Sequence, residues 1–423
     1  MTKAATLRRG WCPDMLRPMA TGDGLLVRVH PQVARLTARQ ADAIADAAAR
    51  WGNGLLDLSS RGNIQIRGVS EATHRPLVEH LIGVGLMDGV RGESPYRLTT
   101  LSPLAGCDPT DRVDALALAQ SLETLGQALT GLHPKFSIVV DGGGAVSLAD
   151  READLRFVGL TETLLCVGVD HGHDVRWIGT LAAQSVAPTA GKILAAFSDG
   201  GPWAGLRLRD LTAQDVDGLI AALPRQTIAR PPARAPCRRA GRIALGALSA
   251  FFLAPPYGRC NASMLVAAAE WSRVFGHGDI RLSPFKGLVI RLASGHSADT
   301  LAALAREAGF IADPDDSRLR IETCPGIKGC TRGTTPTHED ADLLAAALPK
   351  DLSLHVSGCL KGCARPAPAD VTLVGSEGVY AVVLGGTARD KPIIRAGLPS
   401  IARRLAATAD GTPILRAFEE TSS

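Results

Sequence analysis

The sequence predicts an α+β protein built from two similar halves, each a small α/β unit followed by a larger one. Three observations carry this. A 17-residue stretch at 51–67 recurs at 275–291, a proline- and arginine-rich segment separates the two copies, and two close pairs of cysteines mark the second half alone.

The repeat comes first. Residues 51–67 read Trp-Gly-Asn-Gly-Leu-Leu-Asp-Leu-Ser-Ser-Arg-Gly-Asn-Ile-Gln-Ile-Arg. Residues 275–291 read Phe-Gly-His-Gly-Asp-Ile-Arg-Leu-Ser-Pro-Phe-Lys-Gly-Leu-Val-Ile-Arg. Aromatic-Gly-x-Gly, Leu-Ser and a β-like segment ending in Ile-Arg recur without a gap. Each copy follows an alanine-rich helical stretch (38–50 and 262–274), and each stretch follows a short apolar strand candidate (25–29 and 249–253). Strand, helix, strand thus occurs twice. Two copies make a duplicated module rather than a solenoid. Between them, residues 223–242 are rich in proline and arginine and have neither a helical nor an alternating pattern, which marks a linker. The larger unit of the first half includes the strand candidate 136–140 and the turn Asp141-Gly-Gly-Gly144; that of the second includes 371–374 and 379–384.

Composition bounds the class. The chain has 423 residues, 46% apolar and 21% charged, which is ordinary for a soluble globular protein of two or three domains or of one compact multi-lobed unit. A net charge of +4 is too mild for a nucleic-acid partner and suits a locally basic pocket for an anionic small molecule. The longest apolar run, 243–254, has 12 residues and stops at Pro255-Pro256. It is too short to span a bilayer and reads as a buried helix or strand. Residues 1–13 lack the apolar core and cleavage site of a signal peptide, so a cytoplasmic setting with no membrane partner is expected. Nine cysteines in such a chain point to reduced thiols or metal ligands.

Four of these cysteines form a pattern. Cys324 and Cys330 stand in Thr-Cys-Pro-Gly-Ile-Lys-Gly-Cys, and Cys359 and Cys363 in Ser-Gly-Cys-Leu-Lys-Gly-Cys-Ala-Arg-Pro. Four thiolates in two close pairs suit an iron–sulfur cluster. Gly326, Gly329, Gly358 and Gly362 would let backbone approach it and turn N–H groups toward its sulfurs. Structural zinc is the alternative, although the C-x5-C spacing lies outside the usual zinc range; buried or paired thiols are another. The remaining cysteines, Cys12, Cys107, Cys166, Cys237 and Cys260, are scattered and read as small buried side chains.

Three basic residues of the first half sit in turn-like or extended contexts. Arg61 lies in Leu58-Ser-Ser-Arg-Gly-Asn63, Arg97 precedes Leu-Thr-Thr-Leu-Ser-Pro-Leu-Ala-Gly106, and Lys135 lies in Leu132-His-Pro-Lys-Phe136. Solvated surface charge is the plain reading of each; an anion pocket for carboxylates or an oxyanion is the functional one. Where the first copy of the repeat has Arg61, the second has Phe285 followed by Lys286. One half would then supply charge and the other the redox centre.

With these motifs the chain resembles the siroheme-dependent sulfite and nitrite reductases, and within that group the precorrin-3B synthases of aerobic cobalamin biosynthesis. The likeness runs over roughly residues 8–386, and the cysteine pattern is its most specific part. It implies a pseudo-twofold duplicated sulfite/nitrite reductase-like fold with two ferredoxin-like half-domains and two larger α/β redox lobes. The expected division is 1–90 for the first half-domain with its N-terminal arm, 91–225 for the lobe with the anion site, 226–300 for the linker and second half-domain, and 301–423 for the cluster lobe and tail. It also implies that Cys324, Cys330, Cys359 and Cys363 bind a 4Fe-4S cluster, and that Arg61, Arg97 and Lys135 match reductase residues that bind the substrate anion.

Two departures separate the chain from the reductases. Ser137 stands where they carry a second lysine, and the second cysteine pair encloses Leu360-Lys361-Gly362 rather than Pro-Asn-x. Both favour the synthases, whose implied substrate is precorrin-3A, an anionic tetrapyrrole hydroxylated at C20 by dioxygen with formation of a γ-lactone. Siroheme belongs to the reductase alternative. No G-x-G-x-x-G follows a strand candidate, so electrons from NAD(P)H imply a separate reductase partner. The resemblance also brings a mononuclear non-haem iron. Asp170-His-Gly-His-Asp174 offers the ligand types of a facial triad, though a glycine-centred surface turn is its plainer reading.

Overall fold

The computed structural model describes residues 12–86, 97–171, 174–224, 227 and 229–419. These fall into two compact units, one built from 19–26 and 313–419, the other from 12–18 and 27–312. Among the described residues four five-stranded sheets carry the fold. Among the described residues no helix is long and apolar enough to cross a membrane.

The two copies of the repeat become two antiparallel sheets with matching helices. One sheet runs in the order Met19–Thr21, Gly24–Val29, Ile64–Val69, Leu55–Leu58, Arg259–Asn261; the other runs Gly241–Leu245, Leu248–Leu253, Gly287–Leu292, Asp279–Ser283, Arg35–Thr37. Each therefore receives its last strand from the other copy. Leu36 stands opposite Ile280, and Cys260 opposite Leu56. An ion pair reinforces each exchange: Arg35 Nε lies 3.0 Å from Asp279, and Arg259 Nε 2.6 Å from Asp57. Left-handed residues start each exchanged strand, Val33 and Ala34 in one copy and Tyr257 and Gly258 in the other.

Helices then begin at equivalent positions. Thr37 caps Ala38–Trp51 by accepting the Gln40 N–H at 3.2 Å, with the Gln40 side chain returning to the Thr37 N–H. Asn261 caps Ala262–Val274 by accepting the Met264 N–H at 2.9 Å. Alanines at 38, 41, 45 and 48 are buried, so this helix sits close on its neighbours. Both helices fall where the alanine-rich stretches predict them. The apolar run 243–254 differs from expectation: it is neither one helix nor one strand. Gly246, at φ +57°, folds it into a hairpin that pairs Leu245 with Leu248.

The remaining two sheets share one topology. In the larger unit, Thr99–Leu101, Ile138–Asp141 and Leu155–Gly159 run parallel, followed antiparallel by Leu164–His171 and Asp174–Ala182. Phe136, Phe157 and Phe197 are fully buried in the core against this sheet. In the smaller unit, Ile321–Thr323, Leu354–Ser357 and Ala369–Ser376 run parallel, followed antiparallel by Val379–Gly386 and Ile394–Ala396. Both central parallel strands are buried at every position; Ile138–Asp141 reads as the apolar run expected of such a strand, whereas Leu354–Ser357 alternates apolar and polar residues.

Candidate metal centre and anion site

Both cysteine pairs leave the carboxyl ends of neighbouring parallel strands. Cys324 follows Ile321–Thr323 directly, and Gly358 and Cys359 follow Leu354–Ser357. Open α/β sheets form ligand sites at such ends. The Gly358 N–H donates to Cys324 Sγ at 3.2 Å. A side chain at Gly358 would meet Gly333 Cα at 3.2 Å, Gly326 Cα at 3.3 Å and Cys324 Sγ at 3.6 Å, so glycine is what lets the two loops close on each other. Gly326 and Gly362 turn at φ +59° and +62°. Cys324 is buried, Cys330 and Cys359 are half-buried, and Cys363 is exposed. Although the residue is exposed, the loops around it desolvate the Cys363 thiol and push it up; Lys361 opposes this, while Cys324, Cys359 and Cys330 add to it. The Cys363 thiol thus feels its neighbours' charge, a cost that binding a cationic centre removes. Among the described residues no three His, Cys, Asp or Glu side chains gather round a single-ion site. An all-thiolate donor set, an N–H aimed at sulfur and a glycine cradle fit an iron–sulfur cluster.

The sequence pattern missed the residues that hold these loops. Thr334 donates to Gly358 O through its N–H (3.1 Å) and hydroxyl (3.2 Å), and Thr337 Oγ1 donates to Cys324 O at 2.5 Å. Gly22 packs against Cys330, where a side chain would stand 2.8 Å from the backbone nitrogen. Small residues in loops carry no periodic signal, and only the tertiary structure reveals their partners.

The larger unit brings Arg61, Arg97 and Lys135 together. Arg61 rides the turn 59–63, where Gly62, at φ +62°, donates to Ser59 O at 3.0 Å. Arg97 is buried beneath that turn. Its Nη1 donates to Arg61 O (3.0 Å), Gly62 O (2.8 Å) and Asn63 Oδ1 (3.1 Å). Arg97 therefore shapes the loop that carries Arg61. Arg61 Nη2 donates to Lys135 O at 2.6 Å. Burial, with the nearby Arg207, lowers the Arg61 guanidinium to about 10, against the pull of Cys12 and Asp154.

Two further arginines belong to this cluster and escaped the sequence reading. Arg207 is held by Asp154, with Nη2 at 2.8 Å, and the same carboxylate takes the Ser137 N–H at 3.0 Å. Arg28 projects from a strand; its Nε is buried without a hydrogen-bond partner, as is Ser137 Oγ. Gathered cations of which several are desolvated are stabilised by an anionic ligand.

The first lobe holds a different set of groups at its parallel strand ends. Asp141 accepts the N–H groups of Gly143 and Leu148, each at 2.9 Å, and pairs with Arg234 of the linker segment. Asp108 accepts from Thr110 and Ala145 at 2.8 and 2.9 Å. Burial and these two carboxylates push the Asp111 carboxyl up to about 7.

Only part of the Asp170–Asp174 segment, the candidate iron site, can be described. The Asp170 carboxylate is taken by Arg156 Nη2 (2.8 Å) and the Ala153 N–H (2.7 Å), while Gly172 and His173 lie outside the described residues. Of the scattered cysteines, Cys166 and Cys260 are buried as expected; Cys12, Cys107 and Cys237 are only half-buried. The Cys107 and Cys237 thiols donate to nearby carbonyls, each at 3.0 Å.

Known proteins place this geometry. Residues 17–84 match the nitrite/sulfite reductase ferredoxin-like half domain. A precorrin-3B synthase from Sinorhizobium sp is 33% identical over 92% of this chain and 85% of its own length. The ferredoxin–nitrite reductase of Synechococcus elongatus is 24% identical over 88% of this chain and 80% of its own. The solved structure of Mycobacterium tuberculosis NirA superposes with a TM-score of 0.74 at 20% identity, over 94% of this chain and 82% of that one. The α+β duplicated reductase-like fold is therefore the fold of this chain. The chain belongs to the precorrin-3B synthase family, within the sulfite/nitrite reductase-like superfamily.

Proposed function

We propose that the chain is an oxidoreductase that hydroxylates precorrin-3A at C20 with dioxygen and closes a γ-lactone, in aerobic cobalamin biosynthesis in the cytoplasm. The observation that carries this is the cluster of cations around Arg61 in a chain 33% identical to a precorrin-3B synthase. Precorrin-3A bears many acetate and propionate groups. Arg61 and Lys135 contact these carboxylates as charge-assisted hydrogen bonds, and Arg97 fixes the loop that presents Arg61. A planar guanidinium held by backbone partners orients a carboxylate better than a mobile charge does.

Cys324, Cys330, Cys359 and Cys363 hold the 4Fe-4S cluster. When bound, the cluster supplies single electrons, which triplet dioxygen needs to react with a closed-shell ring. Electrons come from NAD(P)H through a separate reductase. Among the described residues no ligand set for a mononuclear iron stands ready.

The siroheme-dependent nitrite or sulfite reductase is the second reading, favoured by the nitrite reductase relatives and opposed by their lower identity. One experiment separates the two. The chain is purified without air, its absorption spectrum recorded and its pigment extracted with acid–acetone. An iron–sulfur spectrum without extractable siroheme, followed by turnover of precorrin-3A under dioxygen, is the expected result. Extractable siroheme with turnover of nitrite or sulfite would overturn it.

A further inference from the structure

One segment, Thr334-Thr335-Pro336-Thr337, touches both cysteine loops of the smaller unit. Thr334 holds Gly358 O, Thr335 O accepts the Ile327 N–H at 2.9 Å, and Thr337 holds Cys324 O. The segment is pinned on its other side as well. Thr334 and Thr335 lie on Gly375, where a side chain would stand 2.9 and 2.5 Å from their hydroxyls. Tyr380 is the partner of Gly375 across the sheet. It is 2% exposed, and its hydroxyl donates to Asp340 Oδ2 at 2.5 Å. Asp340 lies in the first turn of the helix Thr337–Ala345, which the segment opens, and its N–H donates to Pro336 O at 3.0 Å.

We infer that Asp340 and Tyr380 are positioning residues of the metal centre, their buried hydrogen bond clamping the segment 334–337 so that the two cysteine pairs keep their spacing. Neither side chain is itself one of the four cysteine ligands. They act through Thr334, Thr335 and Thr337, which reach Gly358, Ile327 and Cys324. The inference rests on the reading of the four cysteines as cluster ligands. A purely structural role, fastening a helix to a sheet, would leave the cluster's own properties unchanged.

The test uses the full chain, reconstituted with iron and sulfide without air. Tyr380→Phe removes one oxygen and keeps the ring. Asp340→Leu removes the acceptor, whereas Asp340→Asn keeps an oxygen that can accept the phenol. Three quantities are read: cluster loss to a chelator, the electron paramagnetic resonance of the reduced cluster, and the melting temperature of the metal-free chain. Tyr380→Phe and Asp340→Leu are expected to lose the cluster about tenfold faster, in the range seen for outer residues of metal sites. Their resonance should be altered, with Asp340→Asn close to the unaltered chain. Unchanged loss rate and resonance in Tyr380→Phe would overturn the inference, whether or not Asp340→Leu folds. If the unaltered chain takes up no iron and sulfide, the cluster reading fails first and the inference with it.

Discussion

The two parallel-stranded sheets share strand order and direction, yet they spend the same position on different chemistry. In the smaller unit the loops after the first two parallel strands carry Cys324, Cys330, Cys359 and Cys363. In the larger unit the equivalent loops carry Asp108, Asp111 and the turn 142–144, with Arg234 paired to Asp141. One set of strand ends carries the four thiols of the candidate metal centre. The other is closed by an ion pair and backbone N–H groups from its own chain. A duplicated scaffold fixes where a site can form; loop residues decide whether one does.

The sharpest break of that comparison is Cys324→Ser. Iron and sulfide content, visible absorption and turnover should vanish together, since this thiol takes the Gly358 N–H between the two loops. Full turnover without a cluster would end the redox reading. Arg61→Ala comes next. Loss of a charge-assisted contact costs about 1.5–3 kcal/mol, so tetrapyrrole binding should weaken about 10- to 100-fold with cluster content unchanged; titration of the protein with precorrin-3A or a porphyrin carboxylate reads it. Arg97→Met should act on stability, because it strands Arg61 O, Gly62 O and Asn63 Oδ1. A loss of about 1–3 kcal/mol in denaturant unfolding is expected, with a raised Kd as consequence.

The smallest effect falls on the lobe without the paired cysteines. Asp111 is raised from its unfolded value to about 7. The neutral form is therefore the favoured one in the fold. Its stabilising contribution is complete below the unfolded value near 3.8 and is lost as pH rises through about 7. Asp111→Asn should raise stability at pH 8 by about 1–2 kcal/mol, after allowance for partial exposure, and flatten the profile between pH 4 and 7. An unchanged slope of unfolding free energy over that range would place the titration elsewhere.

Much of this was legible beforehand for physical reasons. A helix of alanines after a Thr or Asn cap declares itself locally, and so do strands of Ile and Val between glycines; the elements at 38–51 and 262–274 are such cases. Cysteine spacing and the turn around Arg61 were legible for the same reason. Arg28 and Arg207 were not, because a single arginine on a strand or in a tight turn looks like any surface charge until the fold buries it beside Arg61. The threonines at 334, 335 and 337 and the Asp340–Tyr380 bond were hidden likewise, since their partners lie up to 40 residues away along the chain.

The exchanged strands carry a consequence for how the protein is made. Leu55–Leu58 waits for Arg259–Asn261 before its sheet is complete. During synthesis the ribosome must deliver some 200 further residues while that apolar border stays open to other chains, a hazard for any strand without its neighbour. Cutting the gene at the linker would yield two fragments that each lack a border strand and hold a spare one. Such fragments should be insoluble alone and recover when co-expressed, as two copies of a single ancestral half would have done by swapping the same strand.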